Sequence, residues 1–446
     1  MTFAAYGLIV HDRTTSARRA GNIYISMALV GEMMLMTGFI LAVGTEINIA
    51  ISEVPFAVAA SERSELAVAL LMLGFGVKAG AILLHMWLPL AHPAAPTPAS
   101  AILSGAMIKA GLFGWLRFLP LGVVAMPKLG MILVLAGVAA AFYGIGIAVT
   151  QRDPKTILAY SSVSQMGFIT TAVGTALASP TAAPAAITAS LFYAVHHGFA
   201  KGALFLGTGV ASATGSGWPG RLVAVGLLWP ALDLAGAPLS SGALAKVSLT
   251  KVVEMAPWGA AELSSLLSIA PVGSAFVMVH FLRQTIPRPS ARRRVPHAGL
   301  WIPWVLLLLT DLLLLLRPPV EPAELSLLVR QDKLWAAAWP VLAGILLAWI
   351  VSLLRRRGAR VELDIPAGDL LCLVELSLKK LERLLLAVEE RLVEPAFRQL
   401  STRIDRLERL STNVLRAADK AEASMSVFGT IGLLFLVLLL AMLLLG

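Results

Sequence analysis

"LMLGFGVKAGAILLHMWLPL", residues 71–90, is apolar at nearly every position, yet Lys78 stands inside it. A run of this length and composition reads as a bilayer-spanning helix, because about 20 apolar residues cross a hydrocarbon core roughly 30 Å thick. A lysine at mid-bilayer costs roughly 2.5–3.5 kcal/mol on insertion scales. The lysine must therefore face a protein-lined or aqueous interior. The stretch reads as one helix with Lys78 near its middle and His85 two turns further on, on the same face.

The rest of the chain repeats the pattern. Of 446 residues, 58% are hydrophobic and 14% charged, and the mean hydropathy is +0.81. A soluble domain of this length would carry far more charge. Apolar runs predict an all-α polytopic membrane protein with about eleven spans, near 23–43, 66–88, 98–119, 129–150, 157–178, 185–209, 222–256, 264–282, 301–316, 336–354 and 427–445. The seventh is too long for one straight crossing. It contains "LAGAPLSSGALAK", where Gly236, Pro238 and Gly242 predict a broken helix. Broken helices at membrane depth line polar cavities.

Charge sets the expected topology. The net charge of +10 could suggest nucleic acid in a soluble protein, but here the basic residues fall in short loops between spans, and no nucleic acid is expected. Arg13, Arg18 and Arg19, "QRDPK" at 151–155, "RPSARRR" at 288–294 and "RRRGAR" at 355–360 all count to one side. The loop at 44–65 carries Glu46, Glu53, Glu62 and Glu65 against Arg63 alone. The positive-inside rule puts the N-terminus in the cytoplasm of a cell with a bacterial-type plasma membrane. The one cysteine, Cys372, excludes an internal disulfide and a cysteine-built metal site. The start, "MTFAAYGLIVHDRTTSARR", lacks the charged n-region of a signal peptide and reads as the tail of a helix.

Residues 369–420 differ. Apolar residues recur at 374, 378, 381, 385, 388 and 392, then at 397, 400, 404, 407, 410 and 414, among dense charge. That is an amphipathic helix, suited to lying on a membrane surface, packing on a partner or forming a coiled coil. The expected domains are a core at 1–285, further spans at 286–354, the amphipathic segment at 355–426 and a last span at 427–446.

Lys78, Lys109, Lys201 and Lys246 all fall inside predicted spans. One buried lysine could snorkel or make a single structural pair. Four, with histidines on the same helices, point to a path for protons. Burial disfavours a lysine's charged form and a nearby carboxylate restores it, so protonation can be switched by moving a neighbour. Histidine titrates near neutrality. In "FYAVHHGFAKGALFLG", His197 and Lys201 are four apart and share a helix face, whereas the adjacent His196 points elsewhere. His85, His196, Asp233 and Glu32 are secondary relay candidates, and a helix-packing role suits Glu32 as well. His92, in a proline-rich turn, reads as structural. The seven histidines show no metal-ligand spacing, and the chain itself is expected to hold neither metal nor redox cofactor.

At these residues the chain resembles a known family. "GFGVKAGAILLHMWLPLAHPAAPTPASAILSGAMIKAG", "QRDPKTILAYSSVSQMGF", "HHGFAKGALFLGTG" and "LAGAPLSSGALAK" occur in order and are similar to the antiporter-like membrane subunits of respiratory complex I, Mrp-type sodium/proton antiporters and membrane-bound hydrogenases. The wording of "AHPAAPTPAS" and "GAPLSSGALAK" resembles most the hydrogenase-4 component B-like branch. The likeness covers residues 3–285 well and the later spans loosely. It implies a bundle of about fourteen helices with two inverted five-helix repeats, each holding a broken helix, around a hydrophilic axis. By resemblance Lys78 is the broken-helix lysine of the first repeat and Lys109 the connecting lysine. His197 and Lys201 are the relay of the second repeat, and Lys246 is its exit-side residue.

The resemblance also implies what should be elsewhere. The family's glutamate that tunes the counterpart of Lys78 lies on a helix before residue 23, so Glu32 is not assigned that role and Lys78 is left without an expected partner. Roughly five family helices lie outside this sequence, expected on another polypeptide, upstream of the start, or lost. Three functions follow. The first is a membrane subunit of a redox-driven, hydrogenase-like or complex I-like oxidoreductase, moving protons (or sodium) beside other membrane subunits and peripheral redox subunits with iron–sulfur, flavin or nickel–iron centres. The second is a cation/proton antiporter or ion-coupled inorganic-carbon uptake subunit without a redox partner. The third is a non-conducting assembly subunit.

Overall fold

The computed structural model describes residues 2–44, 48–215, 217–286, 298–316, 331–357, 365–371 and 394–422, with isolated positions between 377 and 440. All regular structure among them is helical. Six helices, Thr15–Val43, Thr97–Phe118, Pro127–Ala148, Ala260–Thr285, Ala298–Leu315 and Lys333–Leu354, are long and apolar enough to cross a membrane. The protein is a multi-pass membrane protein. Cys372 and all but isolated positions of the expected last span at 427–445 lie outside the described residues.

Residues Met1–Leu370 form one compact unit and Leu371–Gly446 a second. In the first, α1 (Thr2–Ile9) leads into α2 (Thr15–Val43). The Thr14 hydroxyl accepts the Ala17 amide at 3.1 Å and caps α2. The short α3 (Val54–Ala60) precedes α4 (Ser64–Ala79). The helix expected across 66–88 does not run through. Gly80 takes a left-handed conformation (φ 68°, ψ 39°) and ends α4, and Leu83 follows at φ 68°. Turns then lead to α5 (Leu88–Ala94), with Pro89 at its start. Lys78 is thus in the last turn of α4, not mid-helix, and His85 lies in the break rather than on the same helix.

The next crossing is α6 (Thr97–Ile102), a π-helical turn at Leu103–Met107 and α7 (Ile108–Phe118). A π turn inside a helix inserts a residue and opens the hydrogen-bond ladder, commonly at functional sites. Here it immediately precedes Lys109. Then come α8 (Pro127–Ala148), α9 (Pro154–Ala178) and α10 (Ala183–Ala213). Asp153 caps α9, its Oδ2 accepting the Thr156 amide at 2.8 Å.

The seventh run breaks where glycine and proline predict. The helix α11 (Trp218–Ala235) ends at Gly236 (φ 85°, ψ 38°), and α12 (Ser241–Val253) starts at the Ser240 cap. Helices α13 (Ala260–Thr285), α14 (Ala298–Leu316) and α15 (Gln331–Arg356) follow, with α14 against α10 and α15 against α13.

The most extensive helix pairing among the described residues is α8 on α9. Gly130, Gly137 and Gly144 of α8 recur every seven residues opposite Gly167 and Gly174 of α9. A Cβ at Gly137 would sit 2.6 Å from the Gly167 carbonyl, and one at Gly174 would sit 2.7 Å from the Val134 amide. Small residues at a helix interface let backbones touch, the packing that replaces hydrophobic drive inside lipid. The interface buries Ser164, whose hydroxyl donates to the Ala141 carbonyl at 2.7 Å. By contrast α2 shows Leu29, Val30, Met33, Met36 and Ile40 outward, the apolar surface that a lipid-facing helix presents.

In the second unit α16 (Glu394–Glu422) exposes Ile404, Leu407, Leu410 and Val414. These are the C-terminal positions of the expected stripe. The stripe positions at 374, 378, 381, 385, 388 and 392 lie outside the described residues.

Candidate functional site

Two glycines build the first part of the site. A Cβ on Gly74 of α4 would sit 2.7 Å from the Gly31 carbonyl of α2, so the helices meet closely there. Glu32 follows Gly31, and Lys78 follows Gly74 by one turn. Their side chains meet, Lys78 Nζ to Glu32 Oε1 at 2.5 Å. Thr2 donates to the same carboxylate oxygen at 3.0 Å. Lys78 therefore has a partner within this chain, contrary to the sequence expectation. Glu32 supplies it from α2, through a helix approach that sequence spacing does not reveal. The pair is only partly covered, with 24% of the lysine and 45% of the glutamate side chain exposed.

Another glycine contact builds the second part. A Cβ on Gly198 of α10 would sit 3.0 Å from the Gly105 carbonyl in the π turn. That approach carries Lys109 to His197, Nζ to Nδ1 at 2.8 Å. Lys109 also donates to the Ser104 carbonyl at 2.6 Å. One turn along α10, the fully buried Lys201 donates to the Leu158 carbonyl at 2.8 Å and to the Ser161 hydroxyl. A serine bridge ties these two lysine positions to one another. Ser104 and Ser162 hydroxyls are 3.1 Å apart, and Ser162 donates to the Leu158 carbonyl that also receives Lys201.

Lys246 sits at the second break. Its Nζ donates to the Leu234 and Ala235 carbonyls, each at 2.8 Å, at the C-terminus of α11. Unpaired carbonyls and the negative end of the helix dipole favour a cation there. The Phe168 ring lies 5.7 Å from the same nitrogen. A small cavity of about 10 Å³ lies against Ser161, which holds Lys201, and Leu234, which holds Lys246; Ser164, Gln165 and Ser274 share its walls with the apolar Ile145, Val277 and Met278. Its volume is at the lower limit for one water molecule.

The adjacent histidines of α10 diverge as expected. His197 turns to Lys109. His196 turns to the break, Nδ1 to Asp233 Oδ2 at 2.9 Å, both groups fully buried. Asp233 also accepts the Ser241 hydroxyl at 3.0 Å and the Gly242 amide at 2.8 Å. His92 is buried and stacked on Phe205, ring centres 4.4 Å apart, a packing role.

Two groups escaped the sequence reading. Asp311 of α14 is fully buried and brings a carboxylate within 4.8 Å of His196 and Asp233. Its signal was present, since "LLLLTDLLLLL" places a lone acid in an apolar run. The spacing of the histidines showed no ligand pattern, yet three residues of ligand type converge here from three helices. Asp369 had no such signal. It accepts hydroxyls from Tyr143 and Tyr160, the latter at 2.9 Å, and these two rings stand edge-on to His85 at 5.1 and 6.2 Å. His85 thus belongs to this tyrosine cluster; its place on Lys78's helix, expected from spacing, is corrected by the break at Gly80.

Known proteins bear on this arrangement. Over 222 residues the chain is 36% identical to hydrogenase-4 component B of Escherichia coli (strain K12), covering 47% of this chain and 32% of that protein. Over 321 residues it is 30% identical to putative antiporter subunit mnhA2 of Staphylococcus haemolyticus (strain JCSC1435), covering 66% of this chain and 40% of that protein. The chain thus spans well under half the length of these relatives. The fold is similar to the structure of the Mrp complex from Dietzia sp. DQ12-45-1b, with TM-score 0.61 and 22% identity over 77% of this chain and 73% of that one. Residues 1–269 match the family model described as NADH:quinone oxidoreductase/Mrp antiporter, TM, and with more than half its length in that match the chain belongs to this family of membrane subunits.

Proposed function

We propose that this chain is a membrane subunit of a redox-driven complex and moves protons along Lys109, His197, Lys201 and Lys246, with Lys78 and Glu32 at the first-repeat end. The observation that carries the reading is the contact of Lys109 with His197 at 2.8 Å beside the buried Lys201. Two basic groups in hydrogen-bond contact do not both hold a proton comfortably in a low-dielectric interior, so a proton arriving at one favours its departure from the other. Buried cations held by carbonyls and hydroxyls instead of carboxylates suit transfer better than permanent pairing.

Other membrane subunits are the expected partners, since the Mrp neighbour is a multisubunit complex. Peripheral redox subunits would carry iron–sulfur, flavin or nickel–iron centres. The expected location is a plasma membrane, N-terminus in the cytoplasm. A second reading, cation/proton exchange without redox chemistry, is favoured by the likeness to an antiporter subunit. Gentle solubilisation, purification through a tag on this chain and native mass spectrometry decide between them. Iron–sulfur or hydrogenase-type subunits in the complex support the redox reading, and membrane subunits alone replace it with the antiporter reading.

A further inference from the structure

We propose that Asp311 and Asp233 form a carboxyl pair that shares one proton, making Asp311 an additional proton-holding group at the second helix break. Asp311 lies on α14, beyond the residues matched by the family model. It is fully buried, and neither oxygen forms a well-aligned hydrogen bond; the Trp229 indole N–H is the one donor beside it. A bare carboxylate so placed would be strongly disfavoured, and more so beside a second carboxylate. The protonated form resolves both problems, because its O–H donates to the carboxylate across the gap.

The neighbours fix which carboxyl holds the proton. Asp233 is already the acceptor for His196 Nδ1, the Ser241 hydroxyl and the Gly242 amide. Those donors stabilise its ionised form. Asp311 has no such set. The remaining titratable groups nearby leave it unserved. On α10, His196 engages Asp233 through Nδ1 and forms no bond through its buried Nε2, and Tyr193 donates to Gln165 at 2.5 Å. On α12, Lys246 is held by the Leu234 and Ala235 carbonyls.

The donor set fits a proton better than a metal ion. Hard cations gather several oxygen ligands, whereas most of the acceptor capacity of Asp233 is occupied by protein donors. A proton needs one lone pair of Asp233 and one oxygen of Asp311. The pair sits next to the α11 carbonyls that hold Lys246, so a proton leaving Asp311 passes into the second break. The place in a transport route rests on the function proposed above; the shared proton does not.

Infrared difference spectroscopy of the full chain in lipid nanodiscs, at neutral pH in H2O and D2O, tests this without any transport assay. The wild type should show a protonated-carboxyl C=O band that shifts in D2O, is lost in Asp311→Asn, moves in Asp233→Asn, and returns at a shifted position in Asp311→Glu. Thermal melting of each variant checks that it is folded. A spectrum unchanged by Asp311→Asn overturns the proposal. So does a band abolished by sodium chloride but not by choline chloride, which makes the cluster a cation site. Either failure leaves the transport reading intact, while a persistent band in a chain whose Lys201→Ala variant transports normally would sink that reading alone.

Discussion

The two lysine regions of this molecule solve the same problem in opposite ways. At the α2–α4 contact, Lys78 meets a carboxylate and both remain partly exposed. At the α6–α7, α9 and α10 contact, Lys109 and Lys201 are held by an imidazole, one serine hydroxyl and main-chain carbonyls. A carboxylate locks a lysine's charge in place, whereas neutral acceptors solvate the ammonium without fixing it. The first arrangement stabilises one charge state; the second permits two. On the proposed function, protonation changes would couple to transport in the second region, where Lys201 is fully and Lys109 partly buried, and the Lys78–Glu32 pair would set the field at one end.

The largest test of that contrast compares the two regions directly. Lys201→Ala should lower ion-coupled activity in membrane vesicles by about 10²-fold, the scale of losing a proton-transfer group. Lys201→Arg should not restore it, because a guanidinium stays charged. Lys78→Ala should leave a loss below about 10-fold. Equal losses at both positions would erase the distinction. Lys246→Ala belongs with Lys201→Ala in this series.

A smaller effect comes from the glycine contacts. Gly198→Val pushes a side chain toward the Gly105 carbonyl, where a Cβ alone would already lie at 3.0 Å. It should weaken the Lys109–His197 contact, lower activity about 10-fold and destabilise the chain by about 1–3 kcal/mol. Gly74→Val crowds the Gly31 carbonyl and Leu35 instead. It should cost similar stability, read as thermal melting, with a milder loss of activity. The reverse order of activities would place the sensitive contact at the first region.

The smallest is the energy of the partly exposed pair. A double-mutant cycle with Lys78→Met and Glu32→Gln, read by thermal unfolding, should give a coupling of about 0.2–1 kcal/mol. A value several times larger would mean that partner chains or lipid seal this pair as tightly as protein seals Lys201.

Much of this was legible in the sequence, and the gaps have physical causes. Hydropathy marks membrane helices, and lysine in an apolar run is conspicuous because insertion opposes it. The second break was readable because Gly236, Pro238 and Gly242 stand together. The first was not, since in residues 71–90 only Gly80 marks the turn and the apolar pattern runs on across it. The Lys78–Glu32 contact needs Gly31 and Gly74 to face each other across two helices, which is tertiary information. Asp311 was visible as an isolated acid but its partners were not, because His196 and Asp233 come from other helices. Asp369 reaches its two tyrosines from a segment whose local sequence carries no membrane signal.

The glycine spacing along α8 and α9 has a consequence for how the chain enters the bilayer. Helix α9 carries Ser161, Ser162, Ser164, Gln165, Thr170, Thr171 and Thr175, all buried, a polar load for a helix facing lipid alone. Helix α8 is among the most apolar in the chain, with hydropathy 2.3, and only residues 149–153 separate the two. Backbone contact repeated every seventh residue lets them recognise each other without a third helix. The pair is therefore suited to leave the insertion machinery as one hairpin, α8 chaperoning α9, so that the groups which later hold Lys201 are never presented singly to hydrocarbon.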